Sequence, residues 1–264
     1  MKNKLYKVAN SDQQYGFRPN LFMWPNRTLF FGPVQQLKLH SMGSVAINVG
    51  LYQPFFMKTA NGHDIPYRCA IIPAGCKHEL NAYGNIVASL ILERNSADFV
   101  NLKKQFSFHE SIVTDITSPQ WITTFCKIYE EKPTKIEIEQ LINKLLHMGQ
   151  ETKANMDPRI DRVMTIIQSD PSRTMNQEDL AATVNLSSSR FRHLFQEQTD
   201  VRFRSYRMWQ RIISAMNTLH KVDNLTYAAM EAGFTDSAHF NRCFQSSLGV
   251  NPSLVFRNLD RFEI

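Results

Sequence analysis

A repeated phrase near the C-terminus is the sequence feature that most constrains the fold. The stretch LAATVNLSSSRFRHLFQEQTD at residues 180–200 returns, with changes, as AAMEAGFTDSAHFNRCFQSSLG at residues 228–249. Each copy starts with a short alanine-containing helical pattern, breaks at a turn, and continues with apolar residues three and four positions apart. The repeat therefore predicts two helix-turn-helix units.

Turn and cap residues mark the same positions in both copies. In the first copy, Asn185 stands where the chain must turn sharply, and Ser187 is expected to cap the following helix. In the second copy, Gly233 takes the place of the asparagine, and Asp236 is the expected cap. The apolar positions of each second helix point inward, so its polar residues are predicted to face outward.

A continuous helical pattern at residues 201–220 joins the two copies. A helix of about 19 residues is roughly 28 Å long. This length is close to the roughly 34 Å that separates successive major grooves on one face of DNA. The spacing favours DNA binding, while a duplicated helical hairpin that only packs a core is the alternative interpretation.

Basic residues cluster in the same region. The formal net charge of the chain is +6, and between residues 186 and 221 seven basic residues accompany two acidic ones. Six of the seven are arginine, whose planar guanidinium suits both phosphate and guanine. A charge cluster is also common on a solvated surface, so it supports DNA binding only together with the repeat.

The chain before residue 115 has the pattern of β-strands. SVAINVGLY at residues 44–52 alternates apolar residues with smaller or polar ones, and residues 66–72 and 85–93 are further strand candidates. Pro73 and Gly75 predict a turn between two of these strands. The N-terminal half is therefore expected to be β-rich.

Two helices are predicted between the β-rich half and the repeat. Ser118 and Pro119 form a cap and first-turn pair, while Thr134 and Glu137 have the spacing of a capping box. These helices would dimerise the protein or couple its domains, or they would merely cover the β-rich domain. The polar residues 148–157 are interpreted as a linker.

Several features predict a cytoplasmic location. The apolar runs are too short to span a membrane, and no apolar stretch follows the basic N-terminus as it would in a secretory signal. The four cysteines are scattered without a CxxC pair, which is typical of free thiols in a reducing compartment.

Residues of about 157–258 resemble the DNA-binding region of the AraC/XylS family of bacterial transcription regulators. The resemblance rests on residues 179–195, on Arg211 and Ala215, and on residues 228–252. The chain departs from the family pattern in the first unit, where Asn185 and Asp200 replace glycines and His193 replaces an arginine. These departures leave open whether His193 contacts a base, contacts a phosphate or packs against the joining helix.

The resemblance implies that outward polar residues of both recognition helices contact double-stranded promoter or operator DNA. The predicted DNA-binding residues are Ser189, Arg190, Arg192, His193, Gln196 and Arg204 around the first recognition helix, and Ser237, His239, Asn241, Arg242 and Gln245 on the second. A homodimer and, for an activator, RNA polymerase are further expected partners. Activation is the expected sign of regulation.

The N-terminal half more loosely resembles the cupin-like barrel that many family members have as an effector or regulatory domain. PAGCKHELN at residues 73–81 is similar to the second cupin motif, but the paired histidines of the first motif are missing. The isolated histidines are His40, His63 and His109. A metal site needs three or four converging ligands, so neither a metal nor another cofactor is predicted. Tyr52 and His78 are the candidate effector-binding residues.

The predicted fold is α+β, with an N-terminal cupin-like β-barrel domain, a helical linker and a C-terminal all-α domain with two helix-turn-helix motifs. The predicted bounds are residues 1–115 for the regulatory domain, 116–156 for the coupling segment and 157–264 for the DNA-binding domain. No phosphate loop or nucleophile motif occurs, so a transcriptional regulator that senses a small molecule is predicted rather than an enzyme. The alternatives are an interaction protein that keeps the fold without specific DNA binding, and a cupin-type enzyme.

Overall fold

Two β-sheets pack face to face in the N-terminal half. The computed structural model describes residues 19–58, 62–106, 113–146, 156–172, 175–256 and 259–264. The strands are β1 (Asn20–Trp24), β2 (Arg27–Pro33), β3 (Gln36–His40), β4 (Val45–Gly50), β5 (Phe55–Lys58), β6 (Asp64–Tyr67), β7 (Cys69–Ile72), β8 (His78–Asn81), β9 (Ile86–Leu92), β10 (Thr114–Asp115) and β11 (Arg261–Glu263). The larger sheet has the order β10-β7-β4-β9-β2-β1-β11, and the smaller has the order β3-β8-β5-β6.

Strand β4 shows why the larger sheet is the centre of this half. The predicted alternation is present, because Val45, Ile47 and Val49 pack in one apolar cluster and Ala46 packs in another. Every residue of the strand is nevertheless buried. Helices cover one face of the sheet, and the smaller sheet together with Trp209 from the C-terminal half covers the other. The small residues between the large ones are therefore also removed from water.

Three helices accompany the sheets: α1 (Ala97–Gln105), α2 (Pro119–Glu131) and α3 (Lys135–Leu145). Ser118 is the N-cap of α2, and the Thr134–Glu137 capping box at the start of α3 is formed in both directions. Trp121 and Phe125 of α2 share the apolar cluster of the larger sheet. This packing supports the interpretation that α2 covers the sheet; a role in dimerisation stays a prediction.

The C-terminal region contains the predicted helices. They are α4 (Pro158–Ser169), α5 (Gln177–Ala182), α6 (Ser188–Thr199), α7 (Phe203–Val222), α8 (Leu225–Glu231), α9 (Ser237–Leu248) and α10 (Pro252–Phe256). The predicted turn residues Asn185 and Gly233 both have left-handed backbone conformations, with φ of 56° and 86°. Both helix-turn-helix units thus form where the repeat predicts them. Most of the predicted linker at 148–157 lies outside the described residues.

The C-terminal region ends in a short strand that belongs to the larger sheet. Its last strand, β11, pairs in parallel with β1 of the larger sheet, and the N–H of Asp260 donates to the carbonyl of Pro19 at 2.8 Å. Without β11, the outer edge of β1 would leave its backbone groups unpaired. Three residues are too few to give a recognisable alternation, so the sequence pattern did not reveal this strand.

All four cysteines lie in the described part of the chain and are free thiols. Cys69 is buried, whereas the other three are half-buried. Among the residues that the structure describes, no helix has the length and apolar character needed to cross a bilayer.

Candidate nucleic-acid interface

The first recognition helix is α6. Its cap, Ser187, accepts a hydrogen bond from the N–H of Arg190 at 3.2 Å. Phe191 and Phe195 are fully buried and pack edge-on against Phe203, with ring centroids 5.2 and 5.5 Å away. This packing fixes the rotation of α6 about its axis. The predicted contact residues on the opposite side are all exposed: Ser189, Arg190, Arg192, His193 and Gln196.

The second recognition helix, α9, is built in the same way. Asp236 accepts a hydrogen bond from the N–H of His239 at 2.7 Å, and this bond holds the pKa of Asp236 below its usual value. Phe240 and Phe244 are fully buried, with ring centroids 5.5 Å apart. The charged cap and the aromatic pair therefore determine which side of α9 faces outward.

The predicted contact residues of α9 differ in exposure. Asn241 and Arg242 are exposed, whereas Ser237, His239 and Gln245 are half-buried. The ring of His239 lies edge-on against Phe234 at 5.4 Å, and its Nδ1 is 3.2 Å from the hydroxyl of Thr235. His239 thus already helps to hold the turn, which leaves Asn241 and Arg242 as the more accessible side chains.

A single straight element connects the two units. Helix α7 has 20 residues and is therefore about 30 Å long. Tyr206 and Trp209 are buried along it, and Arg204 is exposed near its N-terminal end. The two recognition helices flank this connecting helix, in the arrangement that the repeat predicts.

A concave surface between α5, α6 and α7 gathers four arginines. We call it the arginine groove; it has a volume of about 540 Å³ and is lined by Asn176, Gln177, Glu178, Ser188, Arg192, Phe203, Arg204, Met208, Arg207 and Arg211. Arg192 and Arg204 were predicted as DNA-binding residues, but Arg207 was not. Its spacing from Arg204 and Arg211 along one helix face was a usable signal.

The C-terminal ends of both recognition helices rest on the β-rich domain. Asp200, which ends α6 with φ of 57°, forms an ion pair with the buried guanidinium of Arg94. Gly249, which ends α9, accepts a hydrogen bond from the N–H of Lys38 at 3.0 Å. A Cβ at Gly249 would lie 2.8 Å from Nδ1 of His40, so this close approach requires glycine.

Helix α7 is also held by a buried carboxyl group. Trp209 Nε1 and Gln210 Nε2 donate to the two carboxyl oxygens of Glu93, at 3.1 and 2.8 Å. Burial raises the pKa of Glu93 to about 7, although these hydrogen bonds act in the opposite direction. Glu93 therefore connects the β-rich domain to the helix that joins the two units.

An apolar cavity of about 90 Å³ lies between the two domains. We call it the interdomain cavity. The β-rich side contributes Leu21, Thr28, Phe30, Val34, Leu37, His40, Met42, Asn48, Ser89 and Ile91, and the helical side contributes Trp209, Ile213, Met216, Phe244, Leu248, Val250 and Val255. Within the described part of the chain, the buried Oδ1 of Asn48 has no hydrogen-bond partner.

The two candidate effector residues lie in different places. His78 is fully buried beside His40, with ring centroids 4.2 Å apart, but it does not line the interdomain cavity. Burial, together with His40, lowers the pKa of His78 to about 4, so the ring is neutral. Tyr52 is 41% exposed and donates to Glu130, away from the cavity. Their roles in effector binding stay predictions.

The isolated histidines do not form a metal centre in the described ranges. His109 lies outside the described residues. Among the residues that the structure does describe, no group of three or more histidine, cysteine, aspartate or glutamate side chains is placed to hold a metal ion.

Comparison with known proteins identifies the C-terminal region. The helix-turn-helix domain family matches residues 180–258. This segment is a helix-turn-helix domain of the AraC type. The match spans both units and the joining helix, so the resemblance predicted from the sequence is confirmed.

Curated relatives match part of the chain. The chain is 27% identical over 124 residues to YpdC of Escherichia coli K12, named an uncharacterized HTH-type transcriptional regulator, with 44% of each chain covered. It is 23% identical over 96 residues to the HTH-type transcriptional regulator GbdR of Pseudomonas aeruginosa, covering 36% of this chain and 26% of the relative. The alignments thus span less than half the length of these relatives.

Solved structures of ToxT from Vibrio cholerae resemble most of the chain. An apo ToxT variant from strain SCE256 has a TM-score of 0.62 at 12% identity, covering 88% of this chain and 97% of that one. ToxT from strain O395 has a TM-score of 0.58 at 13% identity, covering 92% and 98%. These similarities confirm the predicted fold class, a β-rich N-terminal domain followed by a helical helix-turn-helix domain.

Proposed function

We propose that the protein is a transcriptional regulator that binds specific DNA sequences through α6 and α9. The observation that carries this proposal is the pairing of two recognition helices, each with a polar outward face, at the ends of one rigid connecting helix. Each helix would enter the major groove, and the length of α7 suits successive grooves on one face of DNA. The names of the curated relatives support the same function.

The exposed side chains divide into two chemical roles. Arg242 and Asn241 on α9 have the groups that pair with guanine and adenine edges, respectively. On α6, Arg192 and Gln196 offer the same kinds of donor, and the exposed His193 would contact either a base or a phosphate. Caps such as Ser187 and Asp236 use their oxygens on their own helices, so they orient the helices rather than contact bases.

A mobility-shift assay tests this function. The full-length protein is titrated against the promoter regions that flank its own gene, with an unrelated DNA of equal length as competitor. A shift that survives excess competitor is expected. If folded protein shifts none of these fragments, the chain is an interaction protein that keeps the fold without specific DNA binding.

The interdomain cavity is the proposed effector site. A ligand there would touch the sheets on one side and α7 and α9 on the other, so its binding would affect both domains. The unpaired Oδ1 of Asn48 would accept a hydrogen bond from the ligand. A solved structure of unsaturated fatty acid bound wild-type ToxT, with a TM-score of 0.56 and 11% identity, supports an effector role for this fold. It covers 94% of this chain and 97% of ToxT.

The small volume of this cavity limits the size of ligand that it can hold without a rearrangement of the protein. A cavity of about 90 Å³ admits only a few non-hydrogen atoms, whereas pockets for larger ligands are typically about 300–1,000 Å³. A larger effector would therefore have to move α7 away from the sheets, against the hydrogen bonds that Glu93 accepts from Trp209 and Gln210. Effector binding would thereby change the position of the connecting helix.

A ligand screen tests the effector site. Small apolar acids and their neutral amides are added to the full-length protein, and the melting temperature is measured. A ligand that raises the melting temperature is expected to lose this effect in Ile213→Phe, because the larger side chain fills the cavity. An equal shift in the variant would place the ligand elsewhere.

The remaining functional expectations concern how the regulator acts. We propose that it acts in the cytoplasm by binding DNA and an effector, without catalysis. A homodimer, contact with RNA polymerase and activation of transcription belong to the same proposal. Light scattering coupled to gel filtration measures the oligomeric state directly, and a reporter assay gives the sign of regulation.

A further inference from the structure

The arginine groove carries more positive charge than its carboxylate can balance. Arg192 comes from α6, while Arg204, Arg207 and Arg211 come from α7; Glu178 is the one acidic residue among the described residues that line the groove. The surface is open and concave, with a volume of about 540 Å³. Its shape and charge suit an anionic group.

The arginines of α7 share one side of that helix. Arg204, Arg207 and Arg211 are three, four and seven positions apart, so their guanidinium groups face the same space. Arg211 Nε donates to the carbonyl of Pro171 at 3.3 Å, which holds this side chain at the wall of the groove. Guanidinium groups are planar forks that donate paired hydrogen bonds to phosphate oxygens.

The opposite wall adds the start of a recognition helix. Ser188 is the first residue of the 12-residue helix α6 and lines the groove, next to the positive end of the helix dipole. Gln177 Nε2 donates to the Ser188 hydroxyl oxygen at 2.7 Å, which orients that side chain. Donors from two helices thus converge on one space.

The electrostatics of the arginine groove favour an anion. Arg207 and Arg211 are half-buried, and burial lowers the pKa of both. The nearby charge of Arg211 lowers the pKa of Arg207 further. An oxyanion between these side chains would offset the repulsion between their positive charges.

We propose that the arginine groove is a phosphate-binding site that holds the DNA backbone beside the first recognition helix. This inference rests on the proposed function. Arg192 belongs both to the outward face of α6 and to the groove, so the groove adjoins the surface that would enter the major groove. The DNA strand that borders this major groove would pass beside the arginine groove. Phosphate contacts of this kind set the register of a recognition helix on DNA.

The first test compares arginine variants of the full-length protein in DNA binding. Affinities of wild type, Arg207→Ala and Arg207→Lys for operator and unrelated DNA are measured by fluorescence anisotropy at several salt concentrations. Arg207→Ala is expected to weaken the affinity for both DNAs by roughly tenfold. It should also reduce the salt slope, which is the slope of log affinity against log salt concentration, by about one unit, because one phosphate contact is lost. Arg207→Lys keeps the charge, so its salt slope should stay near that of wild type.

An exposed arginine outside the groove provides the matched control. Arg162 lies on α4 and is exposed, so Arg162→Ala removes the same charge with little change in packing. Its salt slope should equal that of wild type. Circular dichroism and melting temperature show whether Arg207→Ala is folded. If it is not, the salt slopes of Arg207→Lys and Arg207→Gln are compared instead, because lysine keeps the charge and glutamine lacks it.

A second arm separates DNA phosphate from a free phosphorylated ligand. Pyrophosphate is titrated into the wild type and Arg207→Ala without DNA, and phosphorus NMR reports binding. Submillimolar binding that the variant loses, together with an unchanged DNA salt slope, would overturn the backbone assignment in favour of a small ligand. Equal salt slopes with no pyrophosphate binding would overturn the site altogether.

Failure of the proposed function would give a different result from failure of the phosphate-site assignment. If the wild type binds no DNA, the function and the backbone assignment fail together. If the wild type binds operator DNA but Arg207→Ala keeps its affinity and salt slope, only the assignment of the groove fails.

Discussion

Arg242 lies on the exposed side of α9 between two fully buried aromatic residues, Phe240 and Phe244. The aromatic pair fixes the helix against its core, so the Arg242 side chain lies on the outward face. An arginine in the major groove bridges two acceptors of a guanine, which contributes about 1–3 kcal/mol of base discrimination. This residue is the sharpest single test of base contact in the second unit.

We expect Arg242→Ala to weaken specific binding by about 5- to 150-fold, the equivalent of the same 1–3 kcal/mol, and to relax the base preference at one operator position. The measurement is the affinity for a set of operators with single base changes. Arg162→Ala serves as a control, because it removes an exposed charge outside both helix-turn-helix units. Unchanged preference at every position in a folded Arg242→Ala protein would contradict the contact.

Glu93 determines a pH dependence of stability. Its pKa in the folded protein is about 7, well above its ordinary value of 4.5, because the carboxyl is buried. Between these values the folded protein keeps a proton that the unfolded chain has lost. The contribution of protonated Glu93 to the free energy of unfolding is therefore complete below about pH 4.5 and is lost as the pH rises through about 7.

We expect the free energy of unfolding of wild type to fall more steeply between pH 5 and 7 than that of Glu93→Gln. The difference in slope should approach about 1.4 kcal/mol per pH unit, which corresponds to one proton. Denaturant unfolding at pH 5, 6 and 7 measures it, and the other titrating groups cancel in the comparison. Parallel curves would show that Glu93 is ionised throughout.

At the scale of elements, the ion pair between Arg94 and Asp200 attaches the end of α6 to the β-rich domain. The side chain of Arg94 is 3% exposed and that of Asp200 is 31% exposed. Asp200 also adopts a left-handed conformation, which aspartate tolerates better than most residues. Aspartate at this position lacks the backbone freedom of glycine, but it forms an ion pair between the two domains.

We expect Asp200→Asn to lower the free energy of unfolding by about 2–3 kcal/mol, somewhat less than the 3–5 kcal/mol typical of fully buried pairs. Asparagine retains the tolerance for left-handed backbone, so the loss reports the charge. The double variant Arg94→Met with Asp200→Asn should recover much of the stability, because the buried guanidinium is then absent. Additive losses in this cycle would show that the pair is not coupled.

The same elements show how far the sequence predicts the structure. Caps such as Ser187 and Asp236 are predictable, because their oxygens bond backbone N–H groups three residues along the chain. The Arg94–Asp200 pair joins residues 106 positions apart, and the sequence marked Asp200 only as a departure from glycine. Contacts at such separation depend on the docking of domains, which local periodicity does not encode.

The candidate site also contains some features that the sequence predicts and others that depend on contacts between distant elements. The outward residues of both recognition helices follow from the helical period, because the buried aromatic residues fix each face. The arginine groove and the interdomain cavity do not follow from it, because each is formed by side chains from separate elements. Strand β11 was missed for a related reason, since its partner β1 lies at the other end of the chain.

At the scale of the whole molecule, the β-rich domain contacts both recognition helices and the helix that connects them. Arg94 holds the end of α6, the β3 backbone holds the end of α9, and Glu93 holds α7 between them. A shift at the interdomain cavity would therefore reach both recognition helices together. Both recognition helices are expected to contact one DNA molecule, at two sites whose separation is set by the length of α7.

Selection of bound DNA from a random pool by the full-length protein tests this claim most directly. Enriched sequences are expected to contain two conserved blocks whose centres lie about 10–10.5 base pairs apart, since each recognition helix occupies one of two successive major grooves. The same selection with Arg242→Ala should keep the spacing and lose one conserved base. A single conserved block, or no enrichment by folded protein, would contradict the account.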